Sequence, residues 1–192
     1  RPSPTTYADA VAETGRQAVA ALDGGPCRVG LESTVIALLD RPRLLRPGRV
    51  TPEQIATVIG FLPEVAGRQH ADATPRVPGS LAAHYAPTTP LRLVSTTRLG
   101  GVLDALQHAG HRCAVLCHGP LPKDGAAPVL RRLPTDPHAY AQALYAALRE
   151  LDQAAAELIV VEDPPATPAW AAVADRLRRA ATGSGRNEDS DG

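Results

Sequence analysis

Two hydroxyls and one arginine carry the plainest chemistry in this chain. Ser33 and Thr34 stand in the segment Gly30-Leu-Glu-Ser-Thr-Val35, at the start of an apolar run. Arg46 follows thirteen positions after Ser33, in Leu45-Arg-Pro-Gly48. Hydroxyls and a guanidinium suit a carboxylate or phosphate, whose oxygens accept charge-assisted hydrogen bonds. The guanidinium keeps its charge and presents a planar fork of donors. Pro47-Gly48 turns the chain at once and so directs the Arg46 side chain. Each residue also has a plainer reading. Ser33 and Thr34 fit a β-strand, where Thr is common, and Arg46 fits an exposed surface. Glu32 suits buttressing a neighbouring arginine rather than acting as a base. Ser3, followed by Pro4, Thr5 and Thr6, fits a helix N-cap cluster. Free N–H groups at such a start also attract phosphate.

The bulk numbers narrow the classes. A chain of 192 residues holds one large domain or two small ones. With 44% hydrophobic and 21% charged residues it is globular, and its zero net charge favours neither nucleic acid nor an acidic membrane surface. Three cysteines make no even framework, which points to a reduced cytoplasmic setting. No apolar run approaches the roughly 18–20 residues of a membrane span. The absence of methionine leads to the expectation that this is the C-terminal part of a longer chain. Cys113, Cys117 and His118 offer three metal ligands without a suitably spaced fourth. Buried thiols and a loop histidine are expected there, and no metal site. Gly100-Gly101 lies in or beside a helix, so it is no dinucleotide fingerprint.

The elements follow from pattern. Thr5 or Thr6 caps a helix over 7–13. Residues 29–39 are rich in β-branched and aliphatic side chains and predict a strand, with a second at 43–45. Thr51-Pro-Glu-Gln54 opens a helix that runs to Ile59 and stops at Gly60. Residues 66–90 read as a Pro/Gly-rich linker or ordered loop. From 91 to 182, strands at 91–94, 112–116, 129–133 and 158–161 alternate with helices at 97–109, 137–156 and 168–181. That order predicts a parallel sheet with helices on its faces. The last residues, 183–192, are Gly, Ser and acid, and a disordered tail is expected.

Several segments together resemble one family, the two-domain L-threonylcarbamoyladenylate synthases of the YrdC-like superfamily. They are Pro2-Ser-Pro-Thr-Thr6, Leu22-Asp-Gly-Gly25, Gly30-Leu-Glu-Ser-Thr-Val35, Leu45-Arg-Pro-Gly48 and His84-Tyr-Ala-Pro87. Further along, Tyr140-Ala-Gln-Ala-Leu-Tyr145, Leu148-Arg-Glu-Leu-Asp152 and Asp175-Arg-Leu-Arg-Arg-Ala-Ala181 match the family's usual ending. Each is weak alone; the ordered set covers nearly the whole chain. One departure falls in the linker, where the family's Pro-Gly-Met-Lys-Tyr-x-His-Tyr reads Pro78-Gly-Ser-Leu-Ala-Ala-His-Tyr85 here.

The resemblance implies an α/β fold in three parts. Residues 1–65 would be the C-terminal part of a YrdC-like twisted α/β domain. Residues 66–90 would be the linker, and 91–182 a small Rossmann-like domain. It implies a synthase that makes threonylcarbamoyl-AMP and pyrophosphate from L-threonine, bicarbonate and ATP, for threonylcarbamoyladenosine in tRNA. ATP is then a substrate accompanied by Mg²⁺. Partners extend to tRNA or tRNA-modification proteins. The resemblance places Ser33 at the threonine and Ser3, Arg46, Tyr85 and His84 at ATP, with Arg46 on phosphate. His84 and Tyr85 either anchor the linker or close it as a lid that keeps water from a labile carbamoyl intermediate. The family's Lys-x-Arg and Ser-x-Asn motifs lie in an opening segment absent here, so the fragment alone is expected to be an incomplete catalyst. Two other classes stay open: an RNA-binding or regulatory module without catalysis, and a second domain that only clamps the linker or docks a partner.

Overall fold

The computed structural model describes residues 1–65, 84–120 and 129–185, and two sheets organise them. The first sheet runs β1-β2-β3, from β1 (Val35–Ala37), β2 (Arg43–Arg46) and β3 (Glu64–Val65). The β1–β2 pair is antiparallel and the β2–β3 pair parallel. Two helices accompany it, α1 (Tyr7–Thr14) and α2 (Pro52–Ile59). Thr6 caps α1 by accepting from the Asp9 N–H at 3.2 Å. At α2, Thr51 Oγ1 accepts from the Gln54 N–H while Gln54 Oε1 accepts from the Thr51 N–H, the reciprocal capping box. Gly60 ends α2 in the left-handed conformation.

Neither α1 nor α2 buries a residue fully. The exposed large apolar side chains of the described residues, from Tyr7 through Val19, Leu22, Leu38 and Val58 to Val65, all belong to this first unit. The expected strand at 29–39 shrinks to three residues. Its partner β2 ends at Arg46, and the chain then turns at Pro47, which has no N–H to give a ladder. Among the described residues, those before Val35 therefore have no ladder partner on that side. β3, for which the sequence pattern predicted no strand, stands immediately before the expected linker.

The second sheet is wholly parallel, in the order β4-β7-β5-β6. Its strands are β4 (Leu91–Val94), β5 (Cys113–Cys117), β6 (Val129–Arg132) and β7 (Leu158–Glu162). The helices are α3 (Thr96–His108), α4 (Pro137–Asp152) and α5 (Ala171–Gly183), the last preceded by a 3-10 turn at Pro168–Trp170. Strand alternation splits the core in two. Ala114, Leu116, Ile159 and Val161 pack with Tyr140, Leu144, Leu148 and Leu177 of α4 and α5. Cys113, Val115, Cys117 and Val160 pack with Leu99 and Leu103 of α3. Burying both faces explains why β5 and β7 read as continuous apolar runs. Each fully buried Leu contributes about 2–3 kcal/mol. Cys113 and Cys117 are buried here as free thiols, and burial pushes both up from their ordinary value.

The long helix expected to reach residue 156 ends at Asp152. Its carboxylate accepts from the Thr88 and Thr89 N–H groups at 3.0 and 2.7 Å, anchoring the chain just before β4. The tail expected from residue 183 is ordered at its start. Gly183 closes α5, and the Ser184 hydroxyl accepts from the Leu91 N–H at 2.8 Å. Residues 66–83, most of the expected linker, and 186–192, most of the expected tail, lie outside the described residues. No helix of the described residues is long and apolar enough to cross a membrane.

Candidate functional site

Arg46 and Ser33 meet as their motifs suggested. Arg46 donates Nε and Nη2 to the Ser33 carbonyl at 3.1 and 3.0 Å, and Nη2 lies 3.4 Å from Ser33 Oγ. The arginine is only 7% exposed, so the plain reading of a surface arginine fails. Ser33 itself is exposed. Gly48 makes this approach possible: a Cβ there would stand 2.3 Å from the Thr34 nitrogen. The Thr34 hydroxyl donates onward to the Val50 carbonyl at 2.7 Å. The Pro47-Gly48 turn and the segment carrying Ser33 are thereby stitched together.

Behind Ser33, Glu32 gathers three donors. Ser3 Oγ donates to Oε1 at 2.6 Å, while Tyr145 OH and Arg176 Nε donate to Oε2 at 2.9 and 2.8 Å. Burial works against the carboxylate, but the bonds from Ser3 and Arg176 prevail and hold it below its ordinary value. Tyr145 shifts the other way, because burial and the Glu32 charge both oppose its ionisation. It therefore stays a donor. Glu32 buttresses an arginine, as its chemistry suggested, but one supplied by α5.

Arg176 also reaches the second motif. It is fully buried, donates Nη2 to the Pro47 carbonyl at 3.1 Å and Nη1 to Asp175 at 2.7 Å. Its guanidinium carbon lies 5.2 Å from the centroid of the Tyr85 ring. Tyr85 stacks on Tyr145 at 5.6 Å and meets His84 edge-on at 4.0 Å. Tyr85 is 3% exposed and holds φ = 60°, a region that bulky side chains avoid. Such a conformation persists only where the surroundings enforce it. Burial pushes the His84 imidazole below its ordinary value, favouring the neutral ring. Its backbone N–H donates to the Arg179 carbonyl at 3.4 Å.

Ser3, Ser33, Arg46, His84 and Tyr85 thus belong to one constellation, with Glu32 and Arg176 linking its members. The sequence reading missed Tyr145 and Arg176 as site residues. Arg176 carried a signal: Val173, Arg176, Leu177 and Ala180 form the buried face of α5, so an arginine occupies a core position. A cavity of about 240 Å³ lies nearby, lined by Leu31, Pro47, Gln142 and Val173 among others. Ser33, Arg46, His84 and Tyr85 do not line it, and the chemistry follows the polar cluster rather than the cavity. His118 stays apart, 3.1 Å from the Glu162 carboxylate. Among the described residues, no group of three or more His, Cys, Asp or Glu could hold a metal ion.

Residues 50–182 match the family described as Threonylcarbamoyl-AMP synthase, C-terminal domain. The chain belongs to that family. It is 35% identical over 190 residues to a threonylcarbamoyl-AMP synthase of Bacillus subtilis (strain 168), covering 95% of this chain and 54% of the relative. It is 30% identical to the Pyrococcus abyssi (strain GE5 / Orsay) protein of the same name, covering 94% and 54%. The crystal structure of P. abyssi Sua5 complexed with L-threonine superposes with a TM-score of 0.82 at 26% identity, over 95% of this chain and 55% of that one. A P. abyssi Sua5 variant with a His-Tyr pair changed to alanine gives 0.81 at 26% identity, over 95% and 54%. The chain spans about half the length of the relatives it matches. Its mixed α/β fold with a parallel sheet is shared with these structures.

Proposed function

We propose that this chain is part of an L-threonylcarbamoyladenylate synthase, which makes threonylcarbamoyl-AMP and pyrophosphate from L-threonine, bicarbonate and ATP. The product would serve threonylcarbamoyladenosine formation in tRNA, in the cytoplasm. Residues 1–65 are read as part of a YrdC-like domain, 66–90 as the linker and 91–182 as a Rossmann-like domain. The exposed apolar side chains of the first unit support a larger domain than residues 1–65 form alone. The observation that carries the reading is the Ser33–Arg46 pair, 3.4 Å apart, in a chain similar to a Sua5 that binds L-threonine.

In this reading the amine of threonine condenses with bicarbonate to a carbamate, with loss of water, and the carbamate oxygen attacks the α-phosphorus of ATP and expels pyrophosphate. The chain's part is positioning and charge stabilisation. The exposed Ser33 hydroxyl donates to the threonine carboxylate and can accept from its amine. Arg46 holds the Ser33 backbone and turns its guanidinium toward phosphate. Ser3, His84 and Tyr85 face the nucleotide, with the His-Tyr pair closing the linker against water. Magnesium in nucleotide sites is held by one or two carboxylates together with phosphate oxygens. Glu32 and Asp175 are the cluster's carboxylates, and donors already occupy both: Ser3, Tyr145 and Arg176 at Glu32, Arg176 and Arg179 at Asp175. The described residues therefore do not fit a magnesium site, and no step is derived through one.

The test is pyrophosphate release by the full-length protein, dependent on both ATP and threonine. Ser33→Ala should raise the KM for threonine, and Arg46→Ala should lower kcat/KM by about 100-fold, the loss typical of one charge-stabilising donor. Absence of threonine-dependent pyrophosphate release from the unaltered protein would overturn the reading. Full activity of Arg46→Ala would remove that arginine from it.

A further inference from the structure

We infer that Arg176 is a positioning residue for this site: one guanidinium on α5 sets the spacing between the segments that carry Ser33 and Arg46, and seats Tyr85 against both. The inference rests on the function proposed above and goes beyond it, because it gives the C-terminal helix a part in substrate placement.

A guanidinium costs several kcal/mol to bury unless every donor finds an acceptor. Arg176 is completely buried, and its acceptors are spread over distinct places. Glu32 immediately precedes Ser33. Pro47 immediately follows Arg46. The fork joins the two at 2.8 and 3.1 Å, while Asp175 takes the third direction at 2.7 Å. The guanidinium is planar and rigid, so three fixed bonds leave little freedom between residues 32 and 47.

That control is needed because the strand ladder does not supply it. The β1–β2 pairing ends at Val35 opposite Arg46, with an irregularity between Val35 and Ile36. Beyond it, among the described residues, side-chain contacts hold the Ser33 segment: Arg46 in front, Arg176, Tyr145 and Ser3 at Glu32 behind, and the Thr34 hydroxyl on the Val50 carbonyl. Tyr145 reinforces Arg176 by donating to the same Glu32 oxygen at 2.9 Å and stacking on Tyr85. Asp175 also accepts from Arg179 Nε at 3.0 Å, so the acceptor that orients Arg176 is itself held. A change at Arg176 therefore moves Ser33, the Pro47 turn and Tyr85 together.

The experiment uses the full-length protein, with kcat and the KM for threonine measured beside the melting temperature. The variants are Arg176→Lys, Tyr145→Phe, Ser33→Ala and the Arg176→Lys/Ser33→Ala double. Arg176→Lys keeps the charge but not the fork. It should cost about 100-fold in kcat/KM while the protein remains folded, the penalty of roughly 1 Å of misplacement. Tyr145→Phe, a milder change that keeps the ring, should cost about threefold to tenfold, one hydrogen bond's worth. The double variant should lose much less than the product of the single losses, because contacts within one network do not add.

If Ser33→Ala raises the KM but Arg176→Lys and Tyr145→Phe stay within twofold of the unaltered protein, this inference fails and the proposed function stands. If Ser33→Ala leaves the KM unchanged, the reading of Ser33 fails and takes this inference with it. Losses in Arg176→Lys that match only its unfolded fraction, with Tyr145→Phe unaffected, would reduce Arg176 to a structural clamp. Losses that multiply in the double variant would overturn the coupling.

Discussion

Arg176 Nε meets Glu32 Oε2 at 2.8 Å, joining two residues 144 positions apart. This contact ties α5, at the far end of the chain, to the segment that carries Ser33. Burial alone would favour a neutral carboxyl, yet the bonds from Ser3 and Arg176 hold Glu32 ionised. Arg176 answers in kind: burial opposes its charge, but the Glu32 bond raises its value above the ordinary one. Both partners are thus charged, and each is satisfied by further hydrogen bonds. That is the condition under which a buried pair holds rather than destabilises.

Breaking this pair from one side should be costly. Arg176→Ala strips Glu32 of its cation and leaves the Pro47 carbonyl without its donor. A loss of about 3–5 kcal/mol in urea unfolding is expected. Ser3→Ala removes one hydroxyl from the same carboxylate and should cost only about 1 kcal/mol. Equal losses for the two would mean that Arg176 is not the dominant partner.

The same pair sets an acid limit. The folded Glu32 carboxyl lies below its ordinary value of 4.5. Its stabilisation is complete above that value and is lost as pH falls through the lower folded value. Melting temperatures of the unaltered protein and Glu32→Gln, compared between pH 7 and pH 3, should therefore converge toward low pH. A gap of the same size at both ends would contradict the charged pair.

Contact between the two units depends on a glycine facing α4. Gly30 has φ = +76°, and a Cβ there would lie 2.5 Å from the Gln142 Cα. Gln142, Tyr145 and Arg149 share one face of α4, three and four residues apart. From it Gln142 donates to the Cys27 carbonyl, Tyr145 to Glu32 and Arg149 to the Pro2 carbonyl. Gly30→Ala adds about 1–2 kcal/mol of left-handed strain to a clash that no side-chain rotation relieves. The expected result is faster proteolysis near residue 30 and a lower urea midpoint. An unchanged midpoint would show that α4 can back away freely.

The limits of the sequence reading follow the same geometry. Thr51, Pro52 and Gln54 announced α2 because a capping box is local and its residues bond to one another. The alternation of strand and helix patterns from 91 to 182 announced a parallel sheet with helices on its faces, and the continuous run Ile159, Val160 and Val161 packs into both halves of its core. Ser33 and Arg46 were legible as a pair through their motifs, although the strand drawn through residues 29–39 was too long. Tyr145 and Arg176 were not legible as partners of Glu32. They lie 113 and 144 positions away, and no local pattern encodes such a contact. An arginine on the buried stripe of α5 was the available clue.

Glu162 offers the sharpest separation of charge from hydrogen bonding in the parallel sheet. It ends β7, is 1% exposed, and accepts from the His118 and Gly119 N–H groups at 2.8 and 3.0 Å and from Thr96 Oγ1 at 2.8 Å. Burial raises its value, but the Gly119 and His118 donors outweigh it and the carboxyl ends below the ordinary range. Glu162→Gln keeps an acceptor for the two backbone donors, and the Thr96 hydroxyl can rotate to accept from the new amide. It should cost about 1 kcal/mol. Glu162→Leu strands both backbone N–H groups in the interior, at about 1–3 kcal/mol each. Urea unfolding should therefore rank Leu well below Gln. If the two variants unfold at the same midpoint, the backbone donors have found water, and Glu162 is not what holds the β5 and β7 ends together.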